Sequence, residues 1–183
     1  MTFSVPAGLE AEIDQVITHY PSEKKRSASL MVLHALQDHF GWLSKEAIQW
    51  TADKLGLQPI NVYELVTFYP MFRQQPAGQH IIRVCRTLSC ALGGAGRLHR
   101  HFCSRLGLDP HARDLQTTED RKFSVEFVEC LASCGTAPVM MCNEDFYEGV
   151  SDAKADEILA KCQGSMEGAG SQPGEQGVTE KAR

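Results

Sequence analysis

Two pairs of cysteines carry the clearest chemistry in this chain. Four residues separate Cys85 from Cys90, and three separate Cys130 from Cys134. Thiolate sulfur is a soft donor, so four such groups converging from two bends would grip a thiophilic metal centre. The chain has seven cysteines in all. Its first residues show no charged segment followed by an apolar core, so no secretory signal is visible. In a reducing compartment such cysteines point to metal ligation or catalysis rather than to a disulfide framework.

Three centres compete for the quartet. Structural zinc is commonly held by turns with two residues between the cysteines, and the wider spacings here fit it less well. A redox disulfide of the thioredoxin kind needs Cys-x-x-Cys, which is found nowhere in the chain. An iron–sulfur cluster is the third. Two pairs on two loops suit a two-iron rhomb, with one pair for each iron, whereas a four-iron cube commonly uses a denser run. Cys103, Cys142 and Cys162 fall in expected regular elements and are read as small hydrophobes.

Other chemistry is weakly marked. The seven histidines form no Glu-flanked pair on a helix face, and no Ser-His-Asp order stands out, so no independent catalytic site is expected. Gly93, Gly94 and Gly96 lack both the Gly-Lys-Ser/Thr ending of a phosphate loop and the spacing of a dinucleotide fingerprint. They are read as letting the backbone fold tightly near the thiols.

The elements that must position the pairs lie in residues 77–163. A β-branched run, Ile81, Ile82, Arg83 and Val84, leads directly into Cys85. A loop with Cys90 passes through the glycines into a helix ending near Gly107. Residues 109–122 are polar and read as a connection. A strand over 123–128 precedes Cys130, and 138–142 reads as another strand. A turn at 143–145 leads to a short strand from Phe146, and 152–162 is a final helix. Both pairs then follow strands, on loops at one end of a sheet. This order predicts a small, thioredoxin-like α/β domain.

Residues 1–76 read differently. Ile13, Val16, Ile17 and Tyr20 share one helical face, with Pro21 ending the helix. A second helix over 27–40 buries Leu30, Leu33 and Phe40 and stops at Gly41. Ser44 caps a third, in which Ile48, Thr51, Ala52 and Leu55 align, and Gly56 closes it. Asn61 and Glu64 have the form of a capping box for a fourth, lined by Val62, Leu65, Val66 and Tyr69. These make a small helical bundle. The aromatic segment 68–72 is read as core first and as a docking patch second. Lys24, Lys25 and Arg26 are read as a solvated helix entrance. Pro76, Ala77 and Gly78 mark the boundary, and residues 164–183, without apolar periodicity, are expected to be disordered.

Composition excludes some functions. Hydrophobic residues at 43% and charged residues at 22% suit a globular chain. A formal net charge of −5 argues against a nucleic-acid surface. No apolar run approaches the roughly 20 residues of a membrane helix, so direct membrane insertion is not expected. Glu10, Glu12 and Asp14 come too early for a transit peptide, and a cytoplasmic protein is expected.

Cys85-x4-Cys90 with Cys130-x3-Cys134-Gly135-Thr136-Ala137-Pro138 resembles the small [2Fe–2S] component, the E subunit, of respiratory NADH dehydrogenase (complex I). Tyr20-Pro21, Leu33-His34, Gly41-Trp42-Leu43 and Thr67-Phe68-Tyr69 look like that family's N-terminal bundle. The resemblance runs from about Ile13 to about Leu159. It implies an α+β chain: a helical bundle followed by a thioredoxin-like ferredoxin domain. It implies one [2Fe–2S] cluster on Cys85, Cys90, Cys130 and Cys134, and a one-electron role in an NADH:quinone oxidoreductase. It implies a partner flavoprotein that holds the FMN and the NADH site, further iron–sulfur subunits, and a peripheral place at the inner membrane. Similar chains serve NAD-linked formate dehydrogenases and NAD-reducing hydrogenases. One position and one short stretch depart from that pattern. Ala132 stands where the family usually has Gly, adding a methyl to a loop expected to be crowded and opposing positive φ. Residues 119–122, Glu-Asp-Arg-Lys, replace an Asp-Gly type turn before the strand that leads to Cys130.

Overall fold

The structure, a computed structural model, describes residues 3–112 and 114–167. It divides into two units, Met1–Ala77 and Gly78–Arg183. The first is helical: α1 (Ala7–Thr18), a 3-10 segment (Ser22–Ala28), α2 (Ser29–Phe40), α3 (Lys45–Leu55) and α4 (Pro59–Phe68). Its core is built on Ile13, Leu33, Leu36, Leu43, Ile48 and Val62. Ser44 caps α3 as expected, its hydroxyl accepting the Ala47 N–H at 3.2 Å. Gly41 and Gly56 end α2 and α3 in the left-handed conformation.

Several details differ from the expectation. On α2 the buried stripe is Val32, Leu33 and Leu36, while Leu30 and Phe40 are only partly buried. A 3.6-residue period sets the width of the stripe, but the neighbouring helices set its direction. Asn61 and Glu64 form no capping box. The helix starts earlier, at Pro59, whose fixed φ suits a first turn that needs no N–H. Glu64 instead accepts from Arg26 at 2.6 Å. The aromatic segment splits: Phe72 is 7% exposed and Phe68 is 76% exposed.

The second unit is a five-stranded mixed sheet in the order β2-β3-β1-β4-β5. The strands are β1 (His80–Cys85), β2 (Gln116–Thr117), β3 (Phe123–Val128), β4 (Met140–Cys142) and β5 (Asp145–Tyr147). Only β1 and β3 run parallel. Parallel neighbours need a long crossover, and α5 (Leu88–Leu92) with α6 (Ala95–Leu106) lies in it. Strand β1 is central, with Ile81, Ile82, Val84 and Cys85 buried, so both its faces are covered. Helix α6 packs on β1 and β3, and α7 (Asp152–Glu167) packs beside α6. Gly78 leads into β1 where a Cβ would lie 2.6 Å from the Phe123 backbone, so no side chain fits.

The stretch 109–122 is not wholly irregular, since β2 pairs with β3 there. Its turn closes without glycine. Arg121 takes φ +53, and the Asp120 carboxylate accepts from the Lys122 N–H at 3.0 Å and the Thr118 hydroxyl at 2.6 Å. Helix α7 continues past 162 to Glu167. The remainder of the expected disordered tail, 168–183, lies outside the described residues. Among the described residues no helix is long and apolar enough to cross a membrane.

His99 on α6 is 2% exposed and stacks on Phe127, with centroids 3.9 Å apart. Burial, helped by the charge of Arg100, holds its pKa below the ordinary value. The neutral ring is therefore favoured in the folded state. Its contribution to stability is complete above the ordinary histidine range and is lost as the pH falls toward the depressed folded value. Urea midpoints at about pH 7.5 and about pH 5.5 test this. The midpoint falls on acidification, and His99→Leu reduces the fall.

Candidate metal centre

The parallel pairing of β1 with β3 brings the two cysteine loops together. Register places Cys85 opposite Val128, two residues before Cys130. The pairing continues past the strands, with the Arg86 N–H donating to Val128 O at 3.0 Å. The carboxyl ends of neighbouring parallel strands are where such sheets present their ligand-binding loops. Arg86 and Glu129, next to Cys85 and Cys130, join the loops through Arg86 Nε at 2.9 Å. Both side chains are more than half exposed, so the pair is worth at most about 1 kcal/mol and serves to orient.

The first pair is not on an open loop. Cys85 is the last residue of β1, and Cys90 sits on α5; both are buried. The Thr87 hydroxyl lies 3.3 Å from Cys85 Sγ. Burial pushes the Cys85 thiol up, but bonds from the Thr87 hydroxyl and the amides of Thr87 and Leu131 outweigh it, and its pKa is lowered. Leu131 belongs to the second loop, so that loop reaches the first sulfur. Cys90 is raised, by burial first and then by contact with Cys85 and the field of Cys134, against a bond from the Val139 amide.

The second pair is exposed, on the connection after β3. The Ala132 N–H donates to Cys130 Sγ at 3.3 Å, and Ala132 takes φ +61. Its methyl is exposed rather than crowded. The cost of Ala at this position is thus one of backbone conformation, not of packing. Glu148 clamps the rest of the loop: its carboxylate accepts from the Ser133 hydroxyl and, at 2.7 Å, from the Thr136 hydroxyl. Those bonds hold its pKa below the usual value. Gly149 N–H to Thr136 O at 2.7 Å fastens the same turn. Gly93 backs it from α5, where a Cβ would come within 3.0 Å of the Ala137 methyl.

Amide donors aimed at both the buried and the exposed sulfurs fit a thiolate-ligated cluster, because they disperse the sulfur charge. Among the described residues, one ligand atom each of His80, Cys142 and Cys162 lie within 4.8 Å of one another.

Cys103 packs in the core as expected, with its thiol pushed up by burial. Cys142 and Cys162 are buried too, but their sulfurs face each other at 3.5 Å. Burial, then the neighbouring Cys162, pushes the Cys142 thiol up to about 12. The sequence marked neither that pairing nor His80, since the three residues are distant along the chain. Thr87 and Glu148 were missed for the same reason: a hydroxyl or carboxylate that serves a loop has no motif of its own.

A family model described as thioredoxin-like [2Fe-2S] ferredoxin matches residues 13–163. The chain is similar to the E subunit of the NADH-quinone oxidoreductase of Rickettsia bellii (strain RML369-C), with 38% identity over 149 residues, covering 81% of this chain and 87% of that one. It is similar to the E subunit of the NADH-quinone oxidoreductase of Aquifex aeolicus (strain VF5), with 35% identity over 159 residues, covering 87% and 96%. Among solved structures, an air-oxidized NAD+-reducing [NiFe]-hydrogenase superposes at a TM-score of 0.62 over 74% of this chain. At 22% identity that likeness concerns fold alone, and the chain spans 23% of the hydrogenase chain.

The left-handed backbone at Ala132 costs about 1–2 kcal/mol relative to an ordinary conformation. Glycine would remove that strain, less about 0.5–1 kcal/mol for its freer unfolded chain. Ala132→Gly should therefore stabilise the second unit by about 0.5–1 kcal/mol. Ala132→Val, β-branched at positive φ, should destabilise it. Thermal unfolding of both variants beside the parent chain checks the order.

Proposed function

This chain belongs to the thioredoxin-like [2Fe-2S] ferredoxin family, and on that premise we propose that it is the [2Fe–2S] electron-transfer subunit of an NADH:quinone oxidoreductase. Cys85, Cys90, Cys130 and Cys134 would hold the cluster. A bound [2Fe–2S] cluster supplies a one-electron couple. What this chain adds is electrostatic. The amides of Thr87, Leu131, Val139 and Ala132 point their N–H dipoles at cysteine sulfurs, which favours the reduced, more negative state. Arg86 and Glu129 balance each other's charge beside both loops. The chain itself binds no NADH in this reading. FMN belongs to a partner flavoprotein with which single electrons are exchanged, and other iron–sulfur subunits complete the assembly, peripheral to the inner membrane on the cytoplasmic side.

The observation that carries the reading is the convergence of two cysteine pairs at the carboxyl ends of β1 and β3, with amide donors already directed at the sulfurs. The same features would serve the equivalent component of an NAD-linked formate dehydrogenase or NAD-reducing hydrogenase. A structural zinc module is the reading from another class, and cysteine spacings of four and three intervening residues fit it less well than the two-residue turns zinc commonly takes.

Anaerobically purified protein should hold about two irons and about two acid-labile sulfides per chain, with red-brown colour and a paramagnetic signal on one-electron reduction. Cys130→Ser should abolish or markedly shift the absorbance and that signal. Absence of iron and sulfide, or spectra unchanged in Cys130→Ser, would overturn the assignment. Co-purification with a flavoprotein tests the partner, and the substrate oxidised by that flavoprotein identifies the parent enzyme.

A further inference from the structure

The second unit holds another convergence of soft donors, remote from the quartet. His80 opens β1, Cys142 closes β4 and Cys162 lies on α7. One ligand atom from each lies within 4.8 Å of the other two. His80 is at the opposite end of β1 from Cys85, roughly 16 Å along the strand. The two places therefore cannot share an ion.

The separation of the sulfurs is informative. Cys142 Sγ and Cys162 Sγ are 3.5 Å apart. A disulfide needs about 2.05 Å. Two thiolates on a tetrahedral ion with bonds of about 2.3 Å stand roughly 3.8 Å apart. Opening to the second distance takes a few tenths of an ångström, whereas the first needs well over an ångström of approach.

The donors are also held from behind. Asn143, next to Cys142, grips the backbone on both sides of His80. Its Oδ1 accepts the Ile81 N–H at 2.8 Å, its Nδ2 donates to Gln79 O at 3.0 Å, and its own N–H donates to Ile81 O at 3.0 Å. The His80 ring leans on Phe123, with centroids 5.5 Å apart. Lys161, next to Cys162, pairs with Asp145 at 3.5 Å, and Asp145 is the register partner of Cys142. Each ligand is therefore fixed by a neighbour that binds another element of the site, as metal sites require. Cys142 and Cys162 are 4% and 7% exposed, and the half-buried His80 leaves an approach from solvent.

We propose that His80, Cys142 and Cys162 form a second metal site that takes a thiophilic d10 cation, Zn2+, and pins α7 to the sheet. Two sulfurs and an imidazole exclude Mg2+ and Ca2+, which take oxygen. Binding displaces one proton from each thiol, changes no oxidation state, and leaves a fourth position for water.

The test uses the full-length chain with its native cluster, purified without oxygen. Added Zn2+ is measured by mass spectrometry after gel filtration, and affinity by competition with a chromophoric chelator. The expected result is one Zn2+ per chain beyond the iron, with the cluster spectrum unchanged. Cys142→Ala and Cys162→Ala should each weaken binding at least about tenfold. His80→Gln, at the rim and harmless to the core, should weaken it while the melting temperature without zinc stays the same. Absence of stoichiometric zinc overturns the proposal, as does binding that survives Cys142→Ala. Zinc that disappears in Cys130→Ser and persists in His80→Gln would place the ion at the quartet and overturn it too.

Discussion

The parallel register between β1 and β3 is the constraint on which the candidate centre depends. It sets Cys85 against Val128 and so delivers two loops to the same end of one sheet. A slip of one residue would turn the side chains of one strand to the opposite face. Two features oppose a slip: the burial of Ile81, Ile82, Val84 and Cys85 on both faces of β1, and the backbone bonds that extend the pairing beyond the strands. The crossover that parallel pairing demands is itself used, since α5 within it carries Cys90.

Around that register, the loops are held by groups that contribute little to the core. Thr87, Ser133, Thr136 and Glu148 are side chains whose bonds end on a sulfur or on one another. The left-handed backbone at Ala132 places its N–H on Cys130 Sγ, so local strain and a sulfur-directed bond come together in one residue. Strain of this sort persists where surrounding bonds over-determine the conformation, which the Glu148 clamp does here.

The two buried thiol environments in this unit are opposite in sense. Cys85 has donors enough to lower its pKa in spite of burial. Cys142 sits among apolar neighbours with a second thiol against it and is raised. The same residue type thus meets sulfur-directed donors at the end of β1 and burial against a second thiol at the end of β4.

Much of this was legible in the residues alone. The spacing of the quartet, the β-branched run into Cys85, the caps at Ser44, Gly41, Gly56 and Gly107, and the helix–strand order are local signals, because helical and strand periods act over a few neighbours. The family, too, was readable from the cysteine pairs and their flanking residues. Other features required the tertiary structure. Pro59, not Asn61, starts α4; Cys90 lies on a helix rather than an open loop; Val32 and Leu36 face the core where Leu30 and Phe40 were expected. The Glu148 clamp and the meeting of His80, Cys142 and Cys162 join residues far apart in sequence. Local chemistry writes periods, caps and motifs into a sequence; which side chains face one another is decided only when strands pair and helices dock, since those contacts are non-local.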